Sequence, residues 1–337
     1  MGTGGVWSLA GAIAAQSRRE VRVAAPPPRL TRRVNDKIWF GERVTEVLGR
    51  GALPPAYTAF SFSALVRRIL ALARRHASVA VKLPDSAGSV GNFVLESADL
   101  VRQTPRLLRD RLHEMLAEAG WRGDFPLQAI GWEQPVLASP SVQLWIPTGE
   151  HGLPVVEGVF DQFLRGTTAA FTGAAPSELP ARWQQRLAQE AVRLGLLFQT
   201  LGYFGRCSFD AILIGQGTDG WQLHWVECNG RWGGVSIPMT LANRLVGNWR
   251  RRPFVVVDRR GLRALPRGLD SVLAQMNSEL FVPGTHPTGV VVLSPGRLEA
   301  GSGFEIMVLG QTVAGARAQA DRIAASLEGQ GAANEAG

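Results

Sequence analysis

Two apolar runs, residues 208–215 and 221–228, flank the turn Gly215-Gln216-Gly217-Thr218-Asp219-Gly220. A strand, a glycine-rich turn and a second strand make a β-hairpin. The turn also matches the spacing GxGxxG, but a dinucleotide-binding loop must open a helix, and here Trp221 begins another strand. That reading fails, and antiparallel pairing governs what this part of the chain can become.

Along a strand, residues two apart face the same way. Glu227, Asn229 and Arg231 in Val226-Glu227-Cys228-Asn229-Gly230-Arg231 therefore project together as acid, amide and guanidinium. Folding the chain back at Gly217–Gly220 sets Asp210 across from Glu227, within one register step. Two carboxylates and an amide oxygen form a hard-oxygen site of the kind Mg²⁺ takes, with phosphate oxygens completing the shell. A solvent-side Glu–Arg ion pair is the blander alternative. Against it, Asp210 lies in an apolar strand beside Phe209 and Ile212, where an unpaired carboxylate is costly. Cys228 alternates to the opposite face, as buried filler rather than as a nucleophile.

The 36 basic residues include only two lysines, Lys37 and Lys82. Such a bias keeps a compact ammonium for places where a planar guanidinium does not serve. Lys82 ends the β-branched run Val79-Ala80-Val81 and precedes Asp85-Ser86-Ala87-Gly88-Ser89-Val90-Gly91-Asn92. Loop amides closing over phosphate oxygens beside an ammonium make a phosphate clamp; an ordinary surface hairpin is the alternative. A protein-kinase reading fails, because the glycine-rich turn follows the lysine by more than a hundred residues and no HRD or DFG triplet occurs. Neither GxxxxGK[ST] nor GxSxG is present.

Composition narrows the partners. At 337 residues, 45% hydrophobic and 19% charged, the chain suits a soluble protein of more than one domain. No apolar run approaches the ~20 residues needed to span a bilayer, no basic segment precedes the apolar residues 5–15, and the cytoplasm is expected. Cys207 and Cys228 are the only cysteines, and the five histidines form no ligand pair. The net charge of +8 comes from scattered clusters such as Arg67/Arg68 and Arg250 to Arg252, with no aromatic interleaving, so no nucleic-acid partner is expected.

The periodicity divides the chain as follows. A strand is expected over Val21–Ala25 before Pro26-Pro27-Pro28, then a helix from Asp36 to Leu48 with Asn35 as its cap. A hairpin (Ser78–Leu83 and from Phe93), a helix over Asp99–Ala119, strands at Gln128–Val136, Val142–Pro147 and Val155–Leu164, and a helix over Pro180–Leu201 precede the first hairpin described. Gly166–Pro180 and Thr148–Pro154 read as loops. From Arg250 a separate module carries strands Phe254–Val257, Gly289–Ser294 and Phe304–Val308, and helices Leu269–Leu280 and Val313–Leu327.

The ordered set of Asn35-Asp36-Lys37, Val79-Ala80-Val81-Lys82 with its Gly/Ser loop, the Glu133 segment and Asp210…Glu227-Cys228-Asn229-Gly230-Arg231 resembles the ATP-grasp ligases. With Gly158-Val159-Phe160-Asp161-Gln162 and Leu201-Gly202-Tyr203-Phe204-Gly205 the resemblance covers roughly residues 35–245. Ser139-Pro140-Ser141-Val142-Gln143 and Gly289-Val290-Val291-Val292-Leu293-Ser294-Pro295 are most similar to the pheganomycin-type peptide ligases. The resemblance implies an α+β ATP-grasp fold, two α+β subdomains clasping ATP, with a small C-terminal α/β module. Residues 1–34 would be a remnant of the N-terminal pre-ATP-grasp domain and linker, 35–249 the ATP-grasp domain with its lid at about 75–131, 250–330 the module and 331–337 a disordered tail.

The resemblance further implies that Lys37 and Lys82 contact the ATP phosphates and that Gly88, Ser89 and Gly91 cover them. Glu133 would stand at the hinge beside adenine. Asp210, Glu227 and Asn229 would hold Mg²⁺, and Arg231 would steady the developing oxyanion and transferred phosphate. No acid occurs between Gln134 and Thr148, where many relatives carry a ribose-contacting carboxylate. The implied reaction joins a carboxylate to an amine, amino acid or peptide, with ATP and Mg²⁺, in a homodimer with no membrane partner. A small-molecule kinase of the same superfamily and a non-catalytic ATP-binding scaffold are the alternatives.

Overall fold

The period-two runs become thirteen strands among the residues described, which are 2–83, 91–215, 220–261 and 268–333 of a computed structural model. They fall into two compact units. Unit 1 comprises Met1–Glu157, Arg165–Ala170 and Ala181–Arg231; unit 2 comprises Gly158–Leu164, Phe171–Pro180 and Trp232–Gly337.

Unit 1 opens with helices α1 (Gly4–Ser17), α2 (Pro28–Val34) and α3 (Lys37–Leu48). Pro28 starts α2, where its missing N–H has no intrahelical partner to lose. Residues 21–25, expected as a strand, carry none; α2 follows two residues later. The cap of α3 is Asp36 rather than Asn35: its Oδ1 accepts from the Ile38 and Trp39 amides at 2.8 and 3.0 Å. Asn35 is drawn elsewhere, as described below.

Next come β1 (Ala56–Ala59), α4 (Phe62–Ala73), β2 (Ser78–Lys82), β3 (Asn92–Glu96), α5 (Ser97–Leu100), α6 (Pro105–Glu118) and β4 (Leu127–Trp132). The strands form an antiparallel sheet in the order β1-β4-β2-β3. Leu65, Ile69 and Leu72 of α4 and Leu108, Leu112 and Leu116 of α6 recur at helical spacing, so each helix lays one stripe on Val79, Val81, Leu127 and Ala129 of that sheet. The helix expected over 99–119 is two, because Thr104 caps a new start and Pro105 takes its first position.

The chain continues through β5 (Val136–Ala138), β6 (Pro140–Ile146), β7 (Val155–Arg165), β8 (Ala170–Pro176), α7 (Ala181–Thr200), β9 (Gly205–Ile214) and β10 (Gln222–Asn229). Within unit 1, β9 lies between β10 and β6, antiparallel to both, and β5 pairs with its far end. Phe209 on β9 stacks on Phe40 of α3 at 5.7 Å between centroids and meets Phe198 of α7 edge-on at 5.3 Å. These rings fasten both helices to one face of the β9–β10 ladder, which fixes where α3 begins.

Unit 2 adds α8 (Ser236–Val246), β11 (Phe254–Arg260), α9 (Leu269–Gln275), β12 (Gly289–Val292), α10 (Pro295–Glu299), β13 (Gly303–Leu309) and α11 (Val313–Ala333). Its strands run β8-β11-β13-β12, with antiparallel pairing of β11 to β8 and β13, and of β12 to β13. Part of the loop expected at Gly166–Pro180 is therefore the strand β8. Gly173 permits this pairing: a Cβ there would stand 2.2 Å from the Val256 carbonyl oxygen of β11. Val255, Val257, Ile306 and Val308 pack against Ala316, Ala320 and Ile323 of α11. The expected mixed α+β architecture on antiparallel sheets is the one observed. No described helix is long and apolar enough to cross a membrane.

Candidate active site

A bulge creates the polar face of the hairpin. On β9–β10 the pairs Leu223↔Leu213 and Trp225↔Ala211 point to the aromatic core, and the register then shifts between Trp225 and Glu227. Val226 is the extra residue. With strict alternation Glu227 would follow Trp225 into the core; the bulge reverses the parity, so that Glu227 pairs with Asp210 and Asn229 with Ser208 on the opposite face. Trp225 and Cys228 keep the core side, both buried.

Five polar side chains meet on the face so formed. Asn229 Nδ2 donates to Asp210 Oδ2 at 2.9 Å and to Glu227 Oε1 at 3.4 Å. Ser141 of β6, directly opposite Asp210, donates to Asp210 Oδ1 at 2.6 Å, and Gln143 Nε2 donates to the Ser141 hydroxyl at 2.9 Å. Ser141 and Gln143 are buried. Asp210 is thereby held from two sides, with its orientation fixed by buried donors.

The cations approach from other elements. Lys37, buried at the first position of α3, places Nζ 3.4 Å from Glu227 Oε2. Lys82, buried at the end of β2, lies over the Trp132 ring at 5.7 Å. Burial lowers the Lys82 pKa to about 8, against the opposing pull of Glu227 and with a further push from Lys37. The two lysines and Glu227 thus share one electrostatic neighbourhood, and an anionic ligand entering it would raise the Lys82 pKa again. Arg231 lies past the end of β10, and its Nη1 donates to Asn35 Oδ1 at 2.7 Å.

Glu133, just after β4, sets Oε2 2.6 Å from Nδ1 of His224 on β10, with both side chains 9% exposed. That contact ties the exit of the four-stranded sheet to the hairpin. Gly91 is buried in the turn before β3 and its carbonyl accepts from the Leu83 amide at 3.0 Å. Gly88 and Ser89 lie outside the described residues. Burial pushes the Cys207 and Cys228 thiols up, so neither is poised as a thiolate nucleophile.

The structure therefore gathers Asp210, Glu227, Asn229, Lys37 and Lys82, and sets Arg231 against Asn35. The sequence offered Asn35 only as the cap of α3 and gave no site role to Ser141, Gln143 or His224. Ser141 and Gln143 did leave a signal, two polar side chains at alternate positions in an apolar strand. His224 and Asn35 left none, since their partners are distant in sequence.

Among the described residues no three or more His, Cys, Asp or Glu side chains converge as a metal cluster. A divalent cation here would draw on Asp210, Glu227 and the amide of Asn229. The donor set fits Mg²⁺: both carboxylates already face the single Asn229 nitrogen, and half a turn of that amide would present its oxygen to the same point.

No family model and no curated protein matches the chain. Solved structures do. A biotin carboxylase–β,γ-ATP complex from Campylobacter jejuni superposes with a TM-score of 0.62 at 13% identity, over 94% of this chain and 72% of that one. Carboxyaminoimidazole ribonucleotide synthase from Aspergillus clavatus, complexed with ATP, gives 0.60 at 15% identity over 96% and 79%. The biotin carboxylase domain dimer of Hydrogenobacter thermophilus 2-oxoglutarate carboxylase, holding MgADP, ADP and bicarbonate, gives 0.59 at 14% over 90% and 67%. At these identities the likeness is one of fold. These neighbours are ATP-grasp ligases, and the chain has the ATP-grasp fold.

Proposed function

We propose that this chain is a cytoplasmic, Mg-ATP-dependent ligase that joins a carboxylate to the amine of an amino acid or peptide through an acyl phosphate. The observation that carries the reading is the meeting of Asp210, Glu227 and Asn229 with Lys37 inside one unit of an ATP-grasp fold. The neighbours hold ATP, ADP or MgADP, which supports the same nucleotide here.

In the proposed reaction a substrate carboxylate oxygen attacks the γ-phosphorus of ATP, the bond to the β,γ-bridging oxygen breaks, and ADP leaves. The amine nitrogen then attacks the acyl carbon; inorganic phosphate departs with the electron pair of the C–O bond, and the amine loses a proton. Such transfers rest on positioning and charge neutralisation, and no covalent protein nucleophile is needed. Lys37 and Lys82 hold phosphate oxygens, Gly91 covers them, and Glu133 stands at the adenine hinge. Arg231 steadies the oxyanion. Asp210, Glu227 and Asn229 would hold Mg²⁺, which when bound neutralises charge on the phosphates. Residues 35–249 form the catalytic domain in this reading, with 250–330 as an accessory module.

The test is an ADP-release screen against pooled amino acids and short peptides, with mass spectrometry of the products. An amide accompanied by stoichiometric ADP and phosphate is expected. A phosphorylated product would replace the ligase by a kinase, and nucleotide binding with no turnover on any pool would favour a scaffold.

A further inference from the structure

Arg231 has no strand to hold it, because β10 ends at Asn229. Its guanidinium is fixed from 196 residues away. Asn35 Oδ1 accepts from Arg231 Nη1 at 2.7 Å and from the Gly230 amide at 3.1 Å, while Asn35 Nδ2 donates to the Thr31 carbonyl at 2.6 Å. Both ends of one side-chain amide are used. The nitrogen anchors Asn35 to the last turn of α2, and the oxygen clamps the chain leaving β10. The approach is so close that a Cβ on Gly230 would stand 2.3 Å from Val34 Cγ2 and 3.1 Å from Asn35 Nδ2. Only glycine fits there without displacing α2 or the clamp. Two residues on, Lys37 opens α3 and meets Glu227, so a single junction between helices sets both cations against the hairpin.

We infer that Asn35 is a positioning residue: its side-chain oxygen holds Arg231 where the terminal phosphate of the nucleotide would lie, and in that role neither Asp36 nor Lys37 replaces it. The inference rests on the ligase reading. It assigns to Asn35 a different task from helix capping, which Asp36 already performs.

The two ends of the amide can be separated. Asn35→Ala removes both. Asn35→Asp keeps the acceptor toward Gly230 and Arg231 but turns a carboxylate oxygen on the Thr31 carbonyl, where the hydrogen bond is lost. The probes are ADP and the non-hydrolysable AMP-PNP, each with Mg²⁺, titrated calorimetrically into the full chain, together with thermal midpoints. For Asn35→Ala, AMP-PNP affinity should fall by about tenfold or more while ADP affinity stays within about threefold, as for loss of a partner that orients a charged ligand group. Asn35→Asp should recover most of the AMP-PNP affinity although its midpoint falls at least as far as that of Asn35→Ala. Binding that follows the midpoints, with Asp as poor as Ala, would make Asn35 a structural residue and overturn the inference. Equal losses for ADP and AMP-PNP, or no loss for either, would also overturn it. If the unaltered chain binds neither nucleotide, the ligase reading itself fails and takes this one with it; that pattern is distinct from the others.

Discussion

Each unit sets two acids directly opposite one another across an antiparallel pair. In unit 1 the pair is Asp210 and Glu227 on β9 and β10; in unit 2 it is Asp258 and Glu305 on β11 and β13. The surroundings differ. Between Asp258 and Glu305 stands Arg297, donating to Asp258 Oδ1 at 2.8 Å and to Glu305 Oε2 at 3.0 Å, while Arg260 takes Asp258 Oδ2 at 2.8 Å. Burial and the Asp258 charge raise the Glu305 pKa, and Arg297 pulls it back. Between Asp210 and Glu227 the bridging group is the neutral amide of Asn229. An acid pair spanned by a guanidinium is part of the frame, whereas the pair spanned by an amide, with Lys37 3.4 Å from Glu227, presents carboxylates that a divalent cation can bind. What lies between the carboxylates, rather than their presence, distinguishes a site from a strut.

The largest effect should come from Glu227→Gln, which keeps the shape and removes one charge. ATP consumption should fall by at least about 100-fold, as expected where an electrostatic contact acts on developing charge, with circular dichroism and thermal midpoint little changed. Glu305→Gln should leave ATP consumption near that of the unaltered chain. Full activity in Glu227→Gln would erase the distinction between the two pairs. Arg297→Leu tests the other side. It leaves Asp258 and Glu305 facing each other, and denaturant unfolding should show a loss of about 2–4 kcal/mol. An uncompensated Glu305 holds its proton more tightly folded than unfolded, so the loss should be greater at about pH 8 than at about pH 5.

Much of unit 1 was legible because its signals are local. The two runs around residues 215–220 prescribe a hairpin, and the pairing of Asp210 with Glu227 follows to within a step. The reason it holds was not legible: the bulge at Val226 reverses parity, and no side-chain pattern announces an unpaired residue. The scarcity of lysine drew attention to Lys37 and Lys82, and both prove buried near Glu227. The cap of α3 was misread by one residue because Asn35 and Asp36 are both good caps; the contact that diverts Asn35 lies 196 residues away. β8 was taken for loop since Ala170–Pro176 is short of the branched residues that mark strands, and its pairing depends on room at Gly173. The Arg297 bridge joins three segments of unit 2 and leaves no trace at short range.

Lys82 gives an intermediate effect with a sign. Its pKa of about 8 in the free chain means that nucleotide phosphates meet an ammonium below that pH and an increasing share of neutral amine above it. Mg-ADP affinity should be level up to about pH 8 and then weaken, by at most about tenfold per pH unit, with a proton taken up on binding. Lys82→Arg should hold its affinity flat to about pH 9.5, since a guanidinium does not titrate there. An equal decline in both proteins would mean that some other group controls the profile.

The smallest effect separates two hydroxyl–carboxylate contacts that look alike. Ser141 donates to Asp210 at 2.6 Å in unit 1, and Ser177 donates to Asp161 at 2.8 Å in unit 2. Ser141 also accepts from Gln143, so removing its hydroxyl leaves both a buried amide and a carboxylate oxygen short of a partner. Each Ser→Ala change should cost about 1–2 kcal/mol in unfolding, because both carboxylates lose a hydrogen bond inside the protein. Their effects on cation binding should differ. With Mn²⁺ as the probe, read by electron paramagnetic resonance in the presence of ADP, Ser141→Ala should weaken binding by about tenfold, the usual consequence of freeing a ligand to rotate. Ser177→Ala should leave the Mn²⁺ affinity as it was, because Asp161 serves the turn at Glu178, whose amide it accepts at 3.2 Å. If both variants bind Mn²⁺ alike, the carboxylate of Asp210 is not what receives the ion, and the contrast between the two acid pairs would have to be redrawn around Glu227 and Asn229 alone.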